Sequence, residues 1–194
     1  MEHVNIALFA SGQGSNVKAL FEWVRTYSRI EIALLLTDRE DAPVLHFCER
    51  KGIPYRVLPA SEVKDGKSIL SLLEASDIHM IALAGYFRKI PPRVVKAYRG
   101  CIVNVHPALL PNFGGKGMYG EHVHRAVLEK GHSKSGISVH LVDENYDSGK
   151  VLFQKSCPVR SDDTPQSLAQ RVKELEHRYY PQQVIQRAEE ILSE

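Results

Sequence analysis

Short runs of apolar residues alternate with stretches of helical periodicity through the first half of the chain. The apolar runs predict β-strands at residues 4–10, 30–37, 55–59, 79–85 and 101–107. Apolar positions three and four apart predict helices from Asn16 onward and at residues 42–51, 67–75 and 91–98. Strands with few polar residues, separated by helices, are typical of a parallel sheet covered on both faces.

The pattern changes in the second half. A glycine-rich segment at residues 113–120 precedes a predicted helix at 122–130, and strands are predicted at 136–144 and 150–159. The connection between these two strands is too short for a crossover helix, so we expect them to pair antiparallel. The sheet is therefore expected to be mixed.

The last predicted helix begins at Asp162 or Thr164, and Pro181 is expected to kink or divide it. We find no internal repeat, low-complexity segment or linker. The pattern predicts an α/β fold, a Rossmann-like three-layer sandwich with a mostly parallel, mixed sheet, as a single domain over residues 1–194.

Composition argues against several classes of protein. The formal charge of +2 is too small for a nucleic-acid-binding surface, and no run of Lys and Arg concentrates it. Three cysteines without CxxC spacing argue against a disulfide framework and a thiolate metal site. No apolar stretch is long enough for a signal peptide or a membrane span. We expect a reduced, cytoplasmic protein with no metal, membrane or nucleic-acid partner.

The segment SGQGSN between the first strand and the first helix is typical of a phosphate site. Gly12 and Gly14 allow the backbone to approach a ligand, and a helix N-terminus directs free N–H groups at an anion. Ser15 and Asn16 add side-chain donors, and either is a candidate cap for the helix. The alternative is a tight turn that binds nothing.

A dinucleotide site is a narrower interpretation of the same unit, because Asp38 ends the second strand where a ribose-binding acid would stand. The fingerprint GxGxxG requires a third glycine, and Val17 occupies that position. The phosphate interpretation survives, and the dinucleotide interpretation is weakened.

Asn104 and His106 form the most informative pair in the chain. Residues two apart on a strand share a face, and Pro107 places the pair at the strand's carboxyl end, where open parallel sheets bind ligands. Asp147, in the turn between two later strands, is a candidate carboxylate for the same edge. The alternative is a structural histidine beside a turn-forming asparagine.

An amide, an imidazole and a carboxylate suit acyl transfer to an amine that attacks a carbonyl carbon directly. Asn104 is suited to donate a hydrogen bond to the developing oxyanion. His106 is suited to donate a proton or stabilise charge, while Asp147 raises the pKa of His106 and orients it.

The segments SGQGSN, LAGYFRKI, NVHPALLP and the stretch from SVHLVDE to YDSG, in that order, resemble the phosphoribosylglycinamide formyltransferase family. The resemblance covers about residues 4–187. It implies transfer of a formyl group from the co-substrate 10-formyltetrahydrofolate to the amine of glycinamide ribonucleotide, in purine synthesis. It also implies a ribonucleotide phosphate-binding half at residues 1–100 and a catalytic and folate-binding half at 101–194.

The resemblance also implies roles for individual residues. Asn104, His106 and Asp147 match the family's catalytic residues, and Gly12, Gly14, Ser15 and Asn16 lie in the segment that holds the ribonucleotide phosphate. Lys173 and Glu176 match ribonucleotide contacts, although an exposed ion pair is the other interpretation of their spacing. The implied folate-binding residues are Lys67, Phe87, Arg88, Lys89, Ile90, Asn104 and Asp143.

The chain departs from the family pattern at residues 112–120, where it has a longer glycine-rich loop. A lid over the ligand and a longer surface loop are both open interpretations, so Lys116, Met118 and Tyr119 receive no role. His122 and His124 are interpreted as helix-surface histidines, because no acidic or thiolate companions lie nearby.

Other functions remain to be weighed against formyl transfer to the ribonucleotide. Related enzymes formylate methionyl-tRNA or sugar amines or hydrolyse formyltetrahydrofolate. The tRNA enzymes carry a further C-terminal domain and the hydrolases an extra N-terminal domain, so the length of this chain favours the ribonucleotide enzyme. An NAD-type oxidoreductase and a non-catalytic binding module are the alternatives outside the family. A monomer and a homodimer are both compatible with the sequence.

Overall fold

The chain folds around one seven-stranded sheet. The structure, a computed structural model, describes residues 2–193, with the side chains at positions 60 and 61 excepted. The strands are β1 Val4–Phe9, β2 Ile30–Thr37, β3 Tyr55–Val57, β4 Met80–Leu83, β5 Ile102–His106, β6 Lys134–Leu141 and β7 Val151–Pro158. The helices are α1 Ser15–Val24, α2 Val44–Lys51, α3 Ala60–Val63, α4 Lys67–Ala75, α5 Pro92–Ala97, α6 Glu121–Glu129 and α7 Pro165–Ser193.

The strand order is β3-β2-β1-β4-β5-β6-β7. Strands β1 to β5 run parallel, whereas β6 pairs antiparallel with both β5 and β7. The predicted mixed sheet is therefore confirmed. After β1 the chain moves toward β2 and β3, and after β4 it moves the other way, toward β5. The loops after β1 and β4 consequently diverge and leave a crevice at the carboxyl ends of the strands.

Helices cover both faces of the sheet, as predicted. Successive residues of β1 point to opposite sides: Ile6 packs with α1, α2 and α7, while Ala7 packs with α4 and α5. These two apolar layers bury the parallel strands on both faces, which explains why the strands contain so few polar residues. Among residues 2–193, no helix is both long enough and apolar enough to cross a bilayer.

The start of α1 differs from its prediction. Gly14 occupies the N-cap in a left-handed conformation (φ 68°), and no side chain caps the helix. Ser15 and Asn16 already lie inside the helix, so the prediction that one of them caps it was wrong. A β-carbon at Gly14 would lie 2.3 Å from Cγ2 of Val44, so close packing also requires glycine there.

Helix α7 begins as predicted: Thr164 accepts a hydrogen bond from the N–H of Ser167, and the Ser167 hydroxyl accepts one from the N–H of Thr164. The helix then runs unbroken through Pro181, so the prediction that Pro181 divides it was wrong. Tertiary contacts hold the helix in place at this point. The buried hydroxyl of the preceding residue, Tyr180, donates toward backbone carbonyls of β4 and β5 at 2.9 and 3.1 Å.

Candidate active site

A cavity of about 710 Å³ opens at the carboxyl ends of β1, β4 and β5. Its walls are formed by the loop at residues 12–14 (the glycine loop) with the first turn of α1, and by the segment after β4. The glycine-rich loop at residues 113–120 and one face of α7 complete them. The cavity brings together most of the predicted site residues: Gly12, Gly14, Ser15, Asn16, Phe87, Arg88, Lys89, Ile90, Asn104, His106, Asp143, Asp147, Lys173 and Glu176. Lys67, at the start of α4, does not line it.

His106 lies at the centre of the site with its side chain 4% exposed. Its Nε2 is 2.7 Å from the carbonyl oxygen of Phe113, and because a carbonyl only accepts, Nε2 carries a proton. Its Nδ1 lies 3.5 Å from Oδ2 of Asp147. Burial lowers the pKa of His106 below its ordinary value, although Asp147 and the Phe113 carbonyl oppose that shift. The ring is therefore kept neutral beside groups that stabilise it once it gains a proton.

Asp147 connects His106 to the glycine-rich loop. Its Oδ2 accepts a hydrogen bond from the N–H of Gly115 at 2.9 Å, and its Oδ1 lies 3.6 Å from Nε2 of His140. Burial works to raise the pKa of Asp147, but His140, His106 and the Gly115 N–H together lower it below its ordinary value. The carboxylate therefore remains ionised near neutral pH, in a position to stabilise a positive charge on His106.

Asn104 is held in a defined orientation by His140. The Nδ1–H of His140 donates to the carbonyl of Leu141 at 2.8 Å, so its Nε2 is the acceptor that receives the Asn104 amide at 3.1 Å. The amide group therefore turns one N–H toward His140, and its second N–H is available to a ligand. Asn104 and His140 are paired across β5 and β6.

The glycine-rich loop touches the chemical centre. Phe113, whose backbone adopts φ 56°, supplies the carbonyl bound by His106, and Gly115 supplies the N–H bound by Asp147. Residues 115–120 also line the cavity. The loop is therefore part of the site wall, which rules out the interpretation of it as only a longer surface loop.

The first turn of α1 and helix α7 meet in another part of the cavity wall. Nδ2 of Asn16 donates to Oε2 of Glu176 at 2.8 Å, and no ion pair joins Lys173 to Glu176 in the described part of the chain. Burial raises the pKa of Glu176, while Asn16 and Lys173 oppose the shift. One N–H of the Asn16 amide is engaged by Glu176, so the donors left here are its second N–H, the backbone N–H groups of the first helical turn and the hydroxyl of Ser15.

A family profile described as formyl transferase matches residues 4–184. The chain belongs to the formyl transferase family. It is 41% identical over 181 residues to the chloroplastic phosphoribosylglycinamide formyltransferase of Arabidopsis thaliana, covering 90% of this chain and 62% of that relative. The phosphoribosylglycinamide formyltransferase of Bacillus subtilis is 36% identical, with 90% of each chain covered.

A solved structure supports the same assignment. The crystal structure of glycinamide ribonucleotide transformylase 1 from Geobacillus kaustophilus matches with a TM-score of 0.85 and 35% identity, covering 94% of this chain and 97% of that one. The predicted fold is thereby confirmed as the formyl transferase fold. The chain spans less than two thirds of its plant relatives, 62% of the Arabidopsis protein and 58% of the Vigna unguiculata one.

His140 is a site residue of this formyl transferase that the sequence did not reveal. It is 1% exposed and contacts both Asn104 and Asp147. The available signal was a histidine between Val139 and Leu141 in a predicted strand, since a histidine needs a polar partner once it is buried. Its partner depends on the register between β5 and β6, which local sequence does not specify.

His124 differs from its prediction. His122 is exposed as expected, but His124 is 5% exposed and lines the cavity, so its interpretation as a surface histidine was wrong. Helix α6 turns His124 inward together with Val123 and Val127. Burial, and then proximity to His106, lowers the pKa of His124. Among residues 2–193, no three His, Cys, Asp or Glu side chains are grouped so that they could hold a metal ion.

Proposed function

We propose that this formyl transferase moves the formyl group of 10-formyltetrahydrofolate to the amine of N1-(5-phospho-D-ribosyl)glycinamide. The products are formylglycinamide ribonucleotide and tetrahydrofolate, in de novo purine (IMP) biosynthesis. The observation that carries the proposal is the convergence of Asn104, His106 and Asp147 in one cavity that is also lined by the N-terminus of α1. The relatives with the same fold are named for this activity.

The reaction begins with attack of the substrate amine on the formyl carbon, which forms a C–N bond and puts negative charge on the formyl oxygen. The N–H of Asn104 that does not face His140 donates to that oxygen. Neutral His106 donates its Nε2–H to the Phe113 carbonyl in a hydrogen bond and takes the proton of the attacking amine on Nδ1, where Asp147 stabilises the resulting imidazolium. Return of that proton to N10 of the folate accompanies cleavage of the bond between N10 and the formyl carbon.

The ribonucleotide is assigned to the wall made by α1 and α7. The phosphate binds the backbone N–H groups at the start of α1, together with Ser15, since these donors have no helical partners. Lys173 adds positive charge, and Glu176 lies beside it as an acceptor for ribose hydroxyl groups.

The folate co-substrate is assigned to the wall formed by residues 87–90 and by Asp143. Phe87 is 53% exposed and Tyr119 51% exposed, and their ring centroids are 5.8 Å apart at the mouth of the cavity. Exposed aromatic rings in a concave wall suit a planar ligand. Lys67 is left out of this assignment because it does not line the cavity.

The activity is tested by following folate product spectrophotometrically with glycinamide ribonucleotide supplied or omitted. Tetrahydrofolate formation that depends on the ribonucleotide is expected. An equal rate without it would identify a hydrolase, and binding of both ligands without turnover would identify a non-catalytic module. The cytoplasmic location and the choice between monomer and homodimer remain predictions, and the plant relatives are named as chloroplastic.

A further inference from the structure

A buried carboxylate stands behind the proposed folate wall. Asp38 follows β2, its side chain is 8% exposed, and it does not line the cavity. Its Oδ2 accepts a hydrogen bond from Nε of Arg88 at 2.6 Å, and its Oδ1 accepts one from the hydroxyl of Ser11 at 2.5 Å. Both carboxylate oxygens are therefore engaged, and Asp38 is not available to a ribose as a dinucleotide site would require.

Ser11 extends this network to the backbone of the same wall. It is fully buried, and its hydroxyl oxygen accepts a hydrogen bond from the N–H of Phe87 at 3.3 Å. Its own N–H donates to the carbonyl of Gly85 at 2.9 Å. Because Ser11 directly precedes the glycine loop, the network joins the loops after β1, β2 and β4.

Arg88 is the charged member of this network that faces the cavity. Its side chain is 44% exposed and lines the cavity, while its Nε is bound to Asp38. Its two terminal nitrogens make no hydrogen bond with other described residues. An arginine side chain has large rotational freedom, so a strong contact at Nε fixes the direction in which the terminal nitrogens point.

On the proposed function, we infer that Asp38 is a positioning residue for the folate co-substrate. It holds Arg88 so that the terminal nitrogens of the guanidinium meet an anionic group of the folate, whose glutamate part carries carboxylates. Ser11 hydrogen-bonds to both Asp38 and the backbone of Phe87 and so fixes their relative positions. Asp38 contributes to folate binding through Arg88 and takes no part in the chemistry of the formyl group.

The first test is the Asp38→Asn variant, which keeps the size of the side chain and removes its charge. KM for 10-formyltetrahydrofolate should rise about tenfold, while kcat and KM for the ribonucleotide stay within about twofold of the wild-type values. Asp41→Asn is the matched control, because Asp41 forms an exposed ion pair with Arg39 at 2.9 Å outside the cavity. That control should leave all three constants unchanged.

The second test separates positioning from general stabilisation by a double-mutant cycle with Arg88→Gln. If Asp38 acts through Arg88, adding Asp38→Asn to Arg88→Gln should change KM for folate by less than about twofold. Independent effects that multiply in the double variant would overturn the inference. So would an Asp38→Asn variant that loses kcat and ribonucleotide affinity to the same extent as folate affinity.

Ser11→Ala provides a second route if Asp38→Asn does not fold, as judged by thermal unfolding. This variant should also raise KM for folate selectively, and an unchanged KM would overturn the inference. Titration calorimetry with 10-formyltetrahydrofolate separates this inference from the proposed function. A wild-type protein that binds the folate but transfers nothing would contradict the proposed function, whereas an active protein with unchanged folate affinity in Asp38→Asn would contradict only the inference.

Discussion

Replacing Asp147 by asparagine removes a charge from the centre of the site while leaving the hydrogen bond from Gly115 in place. The amide oxygen takes the position of Oδ2 and still accepts from Gly115, while the amide nitrogen takes the position of Oδ1 and faces the acceptor Nε2 of His140. The melting temperature should therefore change little. The interaction that is lost is the attraction between the carboxylate and a protonated His106.

The size of that loss follows from the geometry. With 3.5 Å between Oδ2 of Asp147 and Nδ1 of His106, an effective dielectric constant of about 20 gives roughly 4 to 5 kcal/mol. The carboxylate side chain is 11% exposed, and partial solvation reduces the figure to about 3–4 kcal/mol. If His106 is charged in the transition state, kcat should fall by about 10²- to 10³-fold.

The assay is the steady-state rate of tetrahydrofolate formation at saturating concentrations of both substrates. His106→Ala should show a loss of at least the same size, and Asp162→Asn, an exposed carboxylate outside the cavity, should behave as wild type. An Asp147→Asn enzyme that is folded and keeps more than about a tenth of kcat would refute the reasoning about charge.

Three further predictions concern stability and its dependence on pH. The folded-state pKa of Glu176 is raised above its unfolded value. The stability that this carboxyl group contributes is therefore fully present below the unfolded pKa and is lost as the pH rises through the folded pKa. Glu176→Gln should flatten the resulting decline in melting temperature above about pH 4.5. Gly14→Ala, which forces a β-carbon against Val44, should lower the unfolding free energy in urea by about 2 kcal/mol, whereas Gly12→Ala, with nothing within 4 Å, should have little effect. Tyr180→Phe should cost about 1–3 kcal/mol in the same assay, because two carbonyls of β4 and β5 lose their donor.

The elements predicted most accurately are those whose pattern is local. Residues 30–37 and 67–75 match β2 and α4 at both ends. The strand is recognised by its run of apolar residues and the helix by its apolar periodicity, and both patterns lie within the segment itself. The placement of Asn104 and His106 at the edge of the site was predictable for the same reason. Strand periodicity and Pro107 are enough to locate that pair.

The parts that sequence reasoning could not supply depend on contacts between distant segments. The pairing of His140 with Asn104 is fixed by the register of β5 and β6, and the inward turn of His124 is fixed by packing of α6. Pro181 stays within a continuous helix because Tyr180 ties α7 to the sheet. In each case a tertiary contact outweighs the local conformational preference, and the sequence pattern predicts only the local preference.

The resemblance implies a catalytic role for Asp147, and the geometry of this turn residue supports the proposed role. Its backbone adopts φ 54°, and its side chain reaches the glycine-rich loop, His106 and His140 together. The glycine-rich loop at residues 113–120 thus supplies two backbone contacts, one to His106 and one to Asp147.

The central claim is tested most directly by following the formyl carbon itself. Purified protein is incubated with 10-formyltetrahydrofolate carrying an isotopic label in the formyl group and with glycinamide ribonucleotide, and the products are identified by mass spectrometry. The proposed function predicts that the label appears in formylglycinamide ribonucleotide in equal amount to the tetrahydrofolate formed. Label recovered as free formate, or retained on the folate, would contradict it.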